Sequence, residues 1–164
     1  MTTTNFLFQT LDAELIVVQA DIGSRKKLLE EMARLLTIPL NRNVSIDEDG
    51  ELTKEKDIYL QLWEREKLGN TGIGNGVALP HSRCPQASKA IVAIITLKDA
   101  VDYDSLDRQP VNVAFGLLVP TEATQEHLNL LADIARMMSD DQHKAEVADA
   151  ASAQEIIRLI GDWS

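Results

Sequence analysis

Apolar positions along this chain switch between two spacings, and the switches lay out its elements. Glu14-Leu15-Ile16-Val17-Val18 reads as a short strand. Leu28, Leu29, Met32, Leu35 and Leu36 then recur at helical spacing, with Ser24 as N-cap and Pro39 just past the end. A second helix spans Lys54 to Lys67, with Thr53 as its N-cap and Gly69 as its stop. Val77-Ala78-Leu79-Pro80 reads as a short strand halted by proline. Ile91 to Leu97 is a β-branched apolar run, as suits a strand covered on both faces. Val111 to Val119 is a second long strand, bracketed by Pro110 and Pro120. Thr121 to Met138 reads as a helix capped by Thr121 or Thr124, with Leu128, Leu131, Ala132, Ala135 and Met138 on its apolar face. Ser152-Ala153-Gln154-Glu155 is a capping box that opens the last helix, and Gly161 closes it. This order predicts an α/β fold: one layered domain over residues 1–164, with a core at about 11–161 and a central mixed sheet flanked by helices.

Composition narrows the partners. A net charge of −10 argues against nucleic acid, which is met by clustered Lys and Arg, and favours partners that present a basic face. One cysteine, Cys84, excludes an intramolecular disulfide and suggests a reducing compartment; as a thiol it reads as a small buried residue. No apolar run has the length to span a bilayer, and Met1 to Thr10 lacks a basic start and a cleavage site, so a cytoplasmic location is expected. Asp47-Glu48-Asp49-Gly50-Glu51 reads as a solvated acidic loop without the spaced ligand series of a calcium site.

The chemistry concentrates around Thr71-Gly72-Ile73-Gly74-Asn75-Gly76-Val77-Ala78-Leu79-Pro80-His81. Three alternate glycines leave backbone N–H groups uncovered, a pattern suited to an anion-binding concavity that would end at His81. It is no nucleotide loop, since no Lys-Ser/Thr follows Gly76 and the glycines enter a strand and not a helix. A neutral imidazole is a competent nucleophile toward phosphorus near pH 7. It then needs donors or cations to neutralise the phosphoryl oxygens. Arg65 shares the stripe of Ile58 and Leu62, so it either snorkels from the core edge or is aimed at an enclosed anion. His127 lies in the first turns of its helix, where the dipole favours an anion. His143, in a polar stretch, reads as a solvated surface histidine. A zinc site at His81 and Cys84 lacks further ligands of the right kind.

The run Trp63 to His81 resembles the signature of the enzyme IIA domains of the bacterial phosphoenolpyruvate-dependent phosphotransferase system, in its fructose–mannitol class and the nitrogen-regulatory branch of that class. Two further runs match, Asp104 to Val111 and Leu117 to Ala135, and the resemblance as a whole extends from about Leu11 to Gly161. The resemblance implies that His81 is phosphorylated through Nε2, that Arg65 and His127 lie beside it and stabilise the phosphoryl group, and that Thr71 adds a hydroxyl or N–H nearby. It implies a small histidine phosphocarrier protein as donor and no metal, nucleotide or other cofactor. Ser82 departs from the family pattern, where glycine is common, and the acidic segment around Asp47 is longer than usual. Three readings stay open. The chain regulates targets through phosphorylation-dependent binding, passes the group to a IIB component in sugar uptake, or binds partners without phosphorylation. The lack of an attached transporter or carrier domain favours regulation.

Overall fold

A computed structural model describes residues 3–42 and 52–163. Helix α1 (Thr3–Thr10) leads to a short 3-10 turn (Ala13–Leu15) and strand β1 (Ile16–Ala20). Helices α2 (Arg25–Asn41) and α3 (Glu55–Leu68) follow. Next come β2 (Gly72–Gly74), β3 (Val77–Ala78), β4 (His81–Arg83), β5 (Ile91–Val101) and β6 (Val111–Val119). Helices α4 (Gln125–Met138), α5 (Asp141–Asp149) and α6 (Ala153–Gly161) complete the chain.

The six strands form one mixed sheet in the order β1-β5-β6-β3-β2, with β4 also paired to β6. β5 and β6 are antiparallel at its centre, and β1 runs parallel to β5. β3 and β4 are successive segments beside the same strand, pairing Val77 with Val113 and His81 with Leu117. Between them the Pro80 carbonyl still accepts the Leu117 N–H, at 3.0 Å. Among the described residues β4 pairs only with β6, and α3 packs against it.

Alternation along the central strands builds a core on each face. Val113, Phe115 and Leu117 join the apolar residues of α1 and α4 to α6. Ala114 and Leu118 join those of α2 and α3. Gly116 faces α2, and a Cβ there would lie 2.2 Å from Met32 Sδ, so glycine sets how closely helix and sheet approach. The two tryptophans mark the two layers. Arg25 lies over the Trp63 ring on the α2–α3 side, and Trp163 packs on the His143 ring among the helices opposite.

Several expectations change. The strand expected at 14–18 begins only at Ile16, because Asp12 accepts the Glu14 N–H and winds the chain into a turn first. Pro39 lies inside α2, in its last turn; the missing N–H forfeits one helix bond, and the Arg42 N–H bonds the Pro39 carbonyl beyond it. Thr53 is not the cap of α3: its N–H and carbonyl both bond the Asn41 side chain, and Lys54 holds the cap position without a side-chain bond. His143 is buried with its Nε2 unpartnered, and burial pushes its imidazole below the ordinary range while Glu146 and Asp140 pull it up. The core face of α4 is Leu130, Ile134, Met137 and Met138; of the expected stripe Met138 is buried, Leu131 and Ala135 are partly buried against the core, and Leu128 is exposed. Helices α1 and α5 were not anticipated. The acidic segment around Asp47 lies outside the described residues.

Candidate functional site

Beside β4 the structure opens a cleft of about 660 Å³. One wall is α3, with Leu60, Gln61, Glu64, Arg65 and Leu68; the floor is His81, Ser82, Arg83 and Val119. Leu128 and Leu131 of α4 form the far wall. The displaced face of α4 explains this: with Leu130 and Ile134 in the core, Leu128 and Leu131 are free to line the cleft.

His81 is half-buried, and its Nδ1 lies 2.6 Å from the Leu79 carbonyl. A carbonyl only accepts, so Nδ1 carries the proton and Nε2 keeps its lone pair. Burial lowers the imidazole pKa below the usual histidine value, and the charge of Arg65 lowers it further. The Leu79 bond and the charge of Glu66 pull it up. The net direction is down, so the ring is neutral at pH 7.

Arg65 is held in place by its own helix, its Nη1 donating to the Gly69 carbonyl at 2.8 Å. Arg65 as a residue is half-buried and lines the wall of the His81 cleft, with its guanidinium bond at the exposed end. His127 sits at the third position of α4, next to the cleft residue Leu128. Its Nδ1 accepts the Thr124 N–H at 3.2 Å in a capping box, which leaves Nε2–H as a donor. Its ring packs on Phe6, with centroids 6.1 Å apart.

Thr71 is not on the cleft wall. It is buried; its N–H donates to Glu66 Oε2 at 3.1 Å and its hydroxyl bonds Glu66 Oε1. The Tyr103 hydroxyl also donates to Glu66 Oε1, at 2.6 Å. Burial and the Glu66 charge push the Tyr103 phenol far above its usual range, so it stays a donor. Sequence reasoning missed this pair. The signal for Glu66 was available: Ile58, Leu62 and Glu66 follow at i, i+4, i+8, which places a carboxylate in the core stripe of α3.

The glycines, too, lie elsewhere than expected. Gly72 to Gly76 form the β2–β3 hairpin, with positive φ at Gly74, Asn75 and Gly76. They line a separate polar cavity of about 710 Å³ with Asn112 and Lys144, near the start of β6, whereas His81 lies against its last residues. A Cβ at Gly76 would meet Lys144 Nζ at 2.9 Å. The glycines therefore serve a tight turn and close packing, and the His81 cleft is walled by side chains.

Ser82 lines the cleft and turns its hydroxyl onto the Arg83 carbonyl at 2.9 Å. Cys84 is buried, as expected, and burial raises its thiol pKa. Among the described residues no three His, Cys, Asp or Glu side chains are grouped to hold a metal ion. Nor is any helix among them long and apolar enough to cross a membrane.

Residues 9–163 match the family model described as phosphoenolpyruvate-dependent sugar phosphotransferase system, EIIA 2. A nitrogen regulatory protein of Pseudomonas aeruginosa is 37% identical over 140 residues, covering 85% of this chain and 84% of the relative. The crystal structure of nitrogen regulatory protein IIA-Ntr from Neisseria meningitidis superposes with a TM-score of 0.82 at 34% identity, covering 94% of this chain and 99% of that one. The IIA mannitol protein of Escherichia coli shares the fold, with a TM-score of 0.72 at 16% identity over 92% of this chain and 98% of its own.

Proposed function

Because the chain belongs to the phosphoenolpyruvate-dependent sugar phosphotransferase system EIIA 2 family, we propose that it is a cytoplasmic regulatory protein that accepts a phosphoryl group on His81 Nε2. The donor is the phosphohistidine of a histidine phosphocarrier protein. The Nε2 lone pair attacks phosphorus in line, the donor N–P bond breaks, and its electron pair returns to the donor imidazole. Throughout, the proton stays on His81 Nδ1, which donates it in a hydrogen bond to the Leu79 carbonyl. The Arg65 guanidinium and the His127 Nε2–H offset charge on the phosphoryl oxygens.

The observation that carries this reading is the tautomer of His81: its one basic nitrogen is Nε2, on a ring that shares a cleft with a guanidinium. The rim suits a protein donor, with Leu60, Leu68 and Leu128 exposed around the histidine. Relatives named nitrogen regulatory proteins favour signalling over sugar uptake. A phosphoryl group adds roughly two negative charges at pH 7, enough to change which partners dock on this face.

Incubation with phosphoenolpyruvate, the first enzyme of the relay and the phosphocarrier tests it directly. An acid-labile, single-site adduct is expected, and His81→Ala abolishes it. Full labelling of His81→Ala would move the acceptor elsewhere.

A further inference from the structure

Thr71 occupies the middle of a hydrogen-bond chain that ends on the reactive ring. The chain starts at Glu66, which is adjacent to Arg65 and only 6% exposed. Its two oxygens hold the N–H and the hydroxyl of Thr71. The Thr71 carbonyl accepts the Leu79 N–H at 2.9 Å. The Leu79 carbonyl in turn takes the Nδ1–H of His81. We infer that Glu66 is a positioning residue: through Thr71 and Leu79 it fixes the His81 ring with Nδ1 protonated and Nε2 open to the cleft. The consequence for rate rests on the proposed role of His81; the tautomer itself needs no donor protein.

A buried carboxylate is a costly way to fill a helix core position, where an apolar residue of like volume commonly stabilises as well or better. Here it does what an apolar residue cannot. It pins the backbone of Thr71 on one side, while Leu79 pins it on the other, so residues 71 and 79 move as one unit. The same turn of α3 carries Arg65, and the Glu66 carbonyl accepts the Gly69 N–H at 3.1 Å, next to the Gly69 carbonyl that holds the guanidinium. One side chain thus ties the position of the cation to the orientation of the nucleophile. Tyr103 donates to the same oxygen, Glu66 Oε1, and its hydroxyl lies 3.1 Å from that of Thr71, but the Thr71 N–H bond to Glu66 Oε2, which fixes the backbone, does not involve it.

Long-range proton–nitrogen NMR of histidine-labelled protein reads the tautomer directly. In the wild type His81 is expected as a single Nδ1–H form. In Glu66→Gln the Nε2–H form rises to a comparable share, the titration midpoint of His81 falls, and phosphoryl uptake slows about tenfold, as for other supporting-residue losses. Thr71→Val shifts the tautomer in the same direction, and Thr71→Ser keeps the wild-type form; these two decide the question if Glu66→Gln does not fold. Tyr103→Phe lowers stability and leaves the tautomer unchanged. Wild-type tautomers in Glu66→Gln and Thr71→Val, or an equal shift in Tyr103→Phe, overturn the inference. A shifted tautomer in a protein that labels elsewhere than His81 overturns the proposed function alone.

Discussion

The two imidazoles assigned to phosphoryl chemistry have opposite tautomers, each set by one backbone group. His81 donates its Nδ1–H to a carbonyl and His127 accepts an N–H at Nδ1, so one presents a lone pair and the other a donor. The proposed acceptor works only as a neutral ring. Burial first, then Arg65, hold its pKa below the ordinary value. The rate of phosphoryl uptake should therefore stay flat as pH falls to about 6.5 and drop only below it. A pH–rate profile with its acid limb above that value would contradict the assignment. Removing either group proposed to offset the phosphoryl charge should act on rate and not on fold. Arg65→Ala and His127→Ala are each expected to slow uptake on the order of a hundredfold with an unchanged circular dichroism spectrum.

Helix α4 shows how one element serves both core and site. Leu130 is fully buried and Leu128 stands exposed beside the cleft, although two positions separate them. Leu130→Ala should cost about 2–5 kcal/mol in chemical denaturation. Leu128→Ala should stay within about 0.5 kcal/mol and instead raise the concentration of phosphocarrier needed for half-maximal rate. The sequence suggested the other face because Leu128, Leu131 and Ala135 also fit a helical stripe; periodicity shows that a face exists, not which neighbour covers it. Caps were readable for the same local reason: Ser24 and Ser152 each accept an N–H three residues on. α5 escaped notice because it is short and mostly polar. Pro39 marked a helix end about three residues too early, since a proline in the last turn forfeits one bond without stopping the turn.

At the scale of the whole molecule, what could not be read in the chain was long-range. The central strands were legible from their own residues, and His81 stood out as the proposed acceptor by its place after the glycines and Pro80. The meeting of Glu66 with Tyr103, and the distance of the glycine hairpin from the cleft, depend on how the sheet is ordered. That sheet is shared by two cores, one on each side; Trp163 packs against one, and Trp63 sits on α3, a helix of the other layer. The molecule therefore comes with its own pair of optical probes. With Trp63 or Trp163 replaced in turn by Phe, the remaining indole reports on one layer alone. Since neither layer has a floor without the common strands, the two fluorescence melts should superimpose; a lag between them would mean that one set of helices peels away while the other still holds the sheet.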